Sequence, residues 1–148
     1  MADSHQGVYK GGIGMIVYRG TEASTRAGIL HTADHGMLGG GGVYFTTDKH
    51  RAEEYGYDYA GEGNLITAEI NLDNPYVVPD NVEIPASIIL SSAIYARVQK
   101  KSIATRLKRN GYDGIIWRDE VLVYNKNKVN ITDITRVYHP CLKNKGKE

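Results

Sequence analysis

The stretch Gly41-Gly42-Val43-Tyr44-Phe45-Thr46-Thr47-Asp48-Lys49-His50-Arg51-Ala52-Glu53-Glu54-Tyr55 changes character in its middle. Val43 to Thr46 is apolar and β-branched or aromatic, as strands are. Thr47 or Asp48 can then cap a helix running to about Tyr57. Upstream, Gly36 and the run Gly39–Gly42 make regular structure expensive and force a loop. The unit is therefore loop, strand, helix, with two tyrosines carried to neighbouring places.

Working outward, Met15 to Arg19 is a short strand candidate, and residues 24–35 have room for a short helix. Gly61-Glu62-Gly63-Asn64 reads as a turn. Leu65 to Leu72 alternates apolar and polar, a strand signature ended by Asn74-Pro75. Tyr76-Val77-Val78 is a short extended segment. Ser87 to Asn110 carries a helical pattern, and Asn110-Gly111 stops it. Ile115 to Trp117, Val121 to Tyr124 and Val129 to Ile134 read as closing strands, with turns at Gly111–Gly114 and Asn125–Lys128. The fold class is α+β, with short strands, two main helices and many loops.

With 148 residues, the chain is expected to form one domain over residues 15–138, between a lead-in (1–14) and a polar tail (139–148). Hydrophobic residues are 41% and charged residues 24%, and the net charge is +1, so bulk charge selects neither nucleic acid nor membrane. Cys141 is the only cysteine, which removes internal disulfides and cysteine metal clusters. No basic segment followed by an apolar run opens the chain, and no stretch has the ~18–20 apolar residues of a membrane span. The expectation is a cytoplasmic protein, in its own cell or in a target cell after delivery, with no membrane association and no obligate partner.

Three blocks carry chemistry. Asp119-Glu120-Val121-Leu122-Val123-Tyr124-Asn125 puts a carboxylate at the head of an apolar strand. In extended backbone Asp119 would face away from Glu120. Alone, such a Glu is most simply a solvated strand-end acid. Tyr44 and Tyr55 could converge on one pocket, although two tyrosines alone read as core or rim residues. Arg19-Gly20-Thr21 ends a strand with a planar cation suited to anions and a glycine that permits close backbone approach.

Together and in this order, the blocks resemble the ADP-ribosyltransferase superfamily. Tyr44-Phe45 followed by Tyr55 is similar to the strand–helix element of the poly(ADP-ribose) polymerases. The 119–125 block, continued by Val129-Asn130-Ile131, resembles the strand led by their catalytic glutamate. Arg19, where those enzymes have histidine, resembles the Arg–Ser–Glu branch of bacterial toxins. Asn110 to Gly114 resembles bacterial and phage members.

The resemblance implies a split, mostly antiparallel β core with flanking helices. It implies NAD as co-substrate, no metal, and mono-ADP-ribosyl transfer to a macromolecular acceptor, protein or nucleic acid. Glu120, Tyr44 and Arg19 would be catalytic, and Arg19, Gly20, Thr21, Tyr44, Phe45, Thr46 and Tyr55 would hold NAD. One carboxylate suffices because nicotinamide leaves unprotonated, whereas glycosidases use two.

Two positions depart from the pattern. The family's nicotinamide-binding serine falls at Ala52, so that bond is expected from Thr46 or Thr47. Arg118 stands where arginine-modifying members carry Glu, and could instead meet an anionic acceptor. NAD hydrolysis and a catalytically silent binding module are the rival readings. A related RNA 2′-phosphotransferase fold needs no glutamate such as Glu120.

Other signals are weaker. Lys100, Lys101, Arg106, Lys108 and Arg109 form a basic cluster, but with almost no aromatic residues among them a solvated helix face is the simpler reading. His31 and His35 lack a third ligand. The glycine run lacks the Lys and Ser/Thr of a P-loop.

Overall fold

The computed structural model describes residues 13–34, 36, 38–79 and 103–141. Seven strands form one sheet: β1 (Ile13–Thr21), β2 (Val43–Thr46), β3 (Glu62–Leu72), β4 (Pro75–Val78), β5 (Gly114–Trp117), β6 (Glu120–Val123) and β7 (Val129–Tyr138). The described helices are α1 (Arg26–Ile29), α2 (Lys49–Asp58) and α3 (Ile103–Arg109), with a 3₁₀ turn at Lys126–Lys128. The order across the sheet is β4-β5-β6-β2-β1-β3-β7. Every pairing is antiparallel except β4 with β5.

The sheet has a seam. β1 pairs with β3 from Ile13↔Leu72 to Thr21↔Asn64, and β2 pairs with β6 along its whole length. Between β1 and β2 the ladder holds only Tyr18↔Thr46. The sheet is thus two blocks, β4-β5-β6-β2 and β1-β3-β7, joined at one residue pair. Beyond that pair the strands part, and a cleft opens.

Directly opposed residues share a face of the sheet. Val17, Val43, Phe45, Ile66, Val121 and Val123 line one face and bury it against Ile29 and Leu30, at and just after α1. The other face carries two separate clusters. One joins Leu38, Val78, Ile115, Trp117 and Leu122, with Tyr44, Leu107 and Tyr124 packed on it. The second joins Ala52, Leu65 and Val137, with Tyr18 and Tyr57.

Helix α2 belongs to the second cluster. Asp48 caps it, accepting from the Arg51 amide at 3.2 Å, and Thr46 Oγ1 accepts from the Asp48 amide at 3.0 Å. Its buried positions are Ala52 and Gly56, four residues apart on one face. A Cβ on Gly20 would overlap the Ala52 carbonyl oxygen, and one on Gly63 would overlap the Gly56 carbonyl oxygen. The helix backbone therefore rests directly on β1 and β3.

Several expectations need correction. Glu62, Gly63 and Asn64 are strand, not turn, because Gly63 is needed bare beneath Gly56. The helix expected in 24–35 is one turn, capped by Thr25, whose hydroxyl accepts from the Gly28 amide. Met15–Arg19 and Val129–Ile134 are the cores of longer strands, each paired along its length with β3. Asp119 is not in extended backbone. It lies with Arg118 in the two-residue turn of the β5–β6 hairpin, and Arg118 takes φ +53. The helix expected over 87–110 is described only as α3, and the remainder lies outside the described residues.

Candidate active site

The cleft at the seam has a volume of about 480 Å³, within the range of small-ligand sites. Its wall brings together Arg19 and Gly20 of β1, Tyr44, Phe45 and Thr46 of β2, Arg51 and Tyr55 of α2, and Glu120 of β6. Tyr18 and Gly36 complete it.

Glu120 heads β6 opposite Thr46, which is itself opposite Tyr18. These three residues cross three strands on one face, at the point where the blocks join. The carboxyl is half-buried, and burial raises its pKa above the ordinary value. The charge of Arg51 opposes this rise, and that of Asp119 adds to it.

Arg19 fills the seam from the other face, that of Val17. Its Nε donates to the Ile29 carbonyl at 2.7 Å and its Nη1 to the Tyr44 carbonyl at 2.9 Å. Where the β1–β2 ladder stops, the guanidinium supplies the donor that a strand would have supplied. Burial lowers its pKa, yet a guanidinium stays charged.

Tyr44 presents its ring to the cleft, and its hydroxyl accepts from the amides of Leu38 (3.1 Å) and Gly40 (3.0 Å). The glycine loop is thereby tied to the wall. Gly39, Gly40 and Gly41 all have positive φ, the conformation that lets the loop turn back on this hydroxyl. Tyr55 is a rim residue with 55% of its surface exposed. Arg51 Nε donates to its hydroxyl at 3.4 Å.

The other expected site residues differ in how they meet the cleft. Thr21 is absent from the cleft wall, and its hydroxyl accepts from the Ala23 amide at 3.1 Å. Phe45 borders the cleft, but its side chain is buried in the core with Val43 and Val121. Gly20 borders it too, and its missing side chain is required by α2. Ala52 is packed in the α2 cluster. Of the two threonines offered in place of the serine, Thr46 lines the cleft. Thr47 turns away, its hydroxyl donating to Asp119 Oδ1 at 3.1 Å. Arg118 stacks its guanidinium 4.7 Å from the Trp117 ring centroid and is not in the wall.

Arg51 was not anticipated. Its place was readable, since it lies one helical turn before Tyr55 on the same face of α2. Its pKa is raised, first by the Tyr55 hydrogen bond and further by the charges of Tyr55 and Glu120.

A half-buried carboxylate, two guanidinium groups and two tyrosines thus stand around one cleft. A model of the ADP-ribosyltransferases found in polyvalent proteins matches residues 10–136. The chain belongs to this family. Family members use NAD as substrate, and the seven-stranded α+β architecture is of the ADP-ribosyltransferase kind. No curated protein matches the chain. Among solved structures it is similar to an anti-CRISPR protein, at 14% identity and a TM-score of 0.39, over 84% of this chain and 96% of that one. No described helix is long and apolar enough to cross a membrane.

Proposed function

We propose that this ADP-ribosyltransferase moves a single ADP-ribose unit from NAD to a macromolecular acceptor. The observation that carries the reading is the position of Glu120, half-buried at the seam with Tyr44, Tyr55, Arg19 and Arg51 around it.

The residues present suit the co-substrate. Tyr44 and Tyr55 offer aromatic faces to a cationic pyridinium ring. Arg19 and Arg51 offer guanidinium groups to a pyrophosphate. Cleavage breaks the bond between ribose C1′ and the nicotinamide nitrogen, and the bonding pair leaves with nicotinamide. Glu120 holds the ribose by hydrogen bond and stabilises the positive charge left at C1′. It then takes the proton that an acceptor hydroxyl or amine loses on attacking C1′. Arg19 keeps β2 at a fixed distance from β1, and so keeps Tyr44 opposite Gly20. Arg51 neighbours Glu120 and favours its ionised, proton-accepting form.

The test is incubation with labelled NAD, in cell lysate and in buffer alone, beside Glu120→Gln. Label on a lysate macromolecule, lost in the variant, is the expected result. Free nicotinamide without a labelled product makes the chain an NAD hydrolase. No turnover and no NAD binding overturn the enzymatic reading in favour of a binding module.

A further inference from the structure

At the end of β6 remote from Glu120 lies a second concavity, of about 510 Å³, walled by α3, the loop before β5 and the segment after β6. The basic cluster of residues 100–109 reads in sequence as a solvated face, because aromatic residues are nearly missing from it. The fold supplies them from elsewhere. Lys108 Nζ stands 5.3 Å from the ring centroid of Tyr124. Tyr112 forms part of the same wall and meets Tyr76 edge-on, with centroids 5.3 Å apart.

The charge of the pocket is positive. Lys108 and Lys126 both line it. Its acid, Asp113, is engaged in the scaffold, where its two oxygens accept from the amides of Asp73 at 2.7 Å and Asn74 at 3.0 Å. Lys128 Nζ stands 3.8 Å from the same carboxylate. Arg106 and Arg109 continue the basic character along the last turn of α3. Asn125, also in the wall, adds a side-chain amide.

We propose that this pocket binds single-stranded nucleic acid, with a base against Tyr112 and the flanking phosphates on Lys108 and Lys126. Cations that track a backbone and an aromatic face for a base are the two components of single-strand recognition. An acidic peptide would find the lysines but has no group for the aromatic wall. A duplex keeps its bases stacked away from a pocket of this size. The claim concerns binding alone, so it stands or falls separately from the transfer chemistry of the cleft.

Fluorescence anisotropy without NAD tests it, using labelled oligouridylate and oligodeoxyuridylate of about 12 nucleotides, which differ only in the sugar, a duplex of the same length and a polyglutamate peptide. At least one single strand is expected to bind more tightly than the duplex and the peptide, and the tighter of the two names the natural sugar. The double variant Lys108→Glu, Lys126→Glu should bind about tenfold or more weakly and flatten the salt dependence by about 1.4 in log–log slope. Tyr112→Ala should weaken binding roughly tenfold with the salt slope unchanged, and Tyr112→Phe should bind like the parent. Thermal midpoints identify any variant that has failed to fold, and Tyr112→Phe against the parent then carries the comparison. Absence of single-strand binding, equal binding of polyglutamate, or loss of affinity in Tyr112→Phe overturns the proposal.

Discussion

Arg19 spans the seam between the two halves of the sheet and is bonded to Tyr44 through the backbone, Nη1 to carbonyl oxygen at 2.9 Å. The same guanidinium holds the Ile29 carbonyl at 2.7 Å. A residue type usually read as an anion grip is therefore also a structural tie. It is placed where the β1–β2 ladder has ended after one pair. The side chain that ties the cleft walls together is therefore also one of its charged groups, beside Arg51 and Glu120.

Arg19→Lys separates the two roles. An ammonium keeps the charge but cannot reach two carbonyls in the fixed geometry of a fork. The expected loss is about 1.5–3 kcal/mol of unfolding free energy, the range for a hydrogen bond to a charged group, with NAD turnover falling as Tyr44 loses its register. Arg19→Ala, which also leaves both carbonyls without this donor, should be the more destabilised of the two. Urea denaturation of both variants beside the parent measures this, and equal midpoints for all three would remove the tie.

Gly20 is demanded by packing. Its Cβ would overlap the Ala52 carbonyl oxygen, and that oxygen belongs to helix backbone that cannot rotate away. Gly14, on the same strand, has open space around the equivalent position. Gly20→Ala should therefore cost about 3 kcal/mol or more, above the usual range for overpacking, while Gly14→Ala should be within ~1 kcal/mol of the parent. Thermal melts of the pair settle the difference. A mild Gly20→Ala would mean that α2 can lift from the sheet.

Glu120 is held above its ordinary pKa, chiefly by burial. A carboxyl whose folded pKa exceeds its unfolded value contributes stability below the unfolded pKa and loses it as pH rises through the folded one. At neutral pH the ionised Glu120 therefore weighs against folding. Glu120→Gln should raise the melting temperature by a few degrees at pH 7, with the gain shrinking to nothing as pH falls below the ordinary carboxyl range. The same variant should lose ~100-fold or more in NAD turnover, the scale of removing a group that acts in the transition state. In the parent, turnover should rise with pH along a limb displaced upward from a free glutamate's pKa of about 4.3. A limb at or below that value would contradict the burial of the carboxyl.

The strands and the α2 helix were legible because local pattern and tertiary environment agree there. Val43 and Phe45 are apolar and buried, Asp48 is a good cap, and Leu65–Leu72 alternates as its two faces require. Gly61 to Asn64 misled because glycine signals a turn in sequence, whereas Gly63 is a contact surface for Gly56, a partner visible only in three dimensions. Arg19 was found for its chemistry and not for its place in the seam, since Ile29 and Tyr44 are far from it in sequence. Thr21 belongs in sequence to the Arg19-Gly20-Thr21 block. One residue beyond Gly20 its hydroxyl is already capturing the Ala23 amide in the turn towards α1. Arg51 is paired with Tyr55 by helix periodicity alone, without any motif to mark it.

Tyr124 shows where stability is held back. Its hydroxyl is buried with no hydrogen-bond partner among the described residues, and burial pushes its pKa far up. The ring packs on the cluster of Leu38, Val78, Ile115, Trp117 and Leu122, as Tyr44 does. An unpartnered buried hydroxyl costs about 1–3 kcal/mol, so Tyr124→Phe, which keeps the ring and removes only the oxygen, should stabilise the protein by roughly 1 kcal/mol. The denaturant midpoint should rise with the m-value unchanged, because neither the native nor the unfolded surface is altered. NAD turnover should stay within about twofold of the parent, as Tyr44 keeps its own bonds to Leu38 and Gly40. A loss of stability instead would show that the hydroxyl has a partner, and a bridging water between Tyr124 and Tyr44 would be the first to seek.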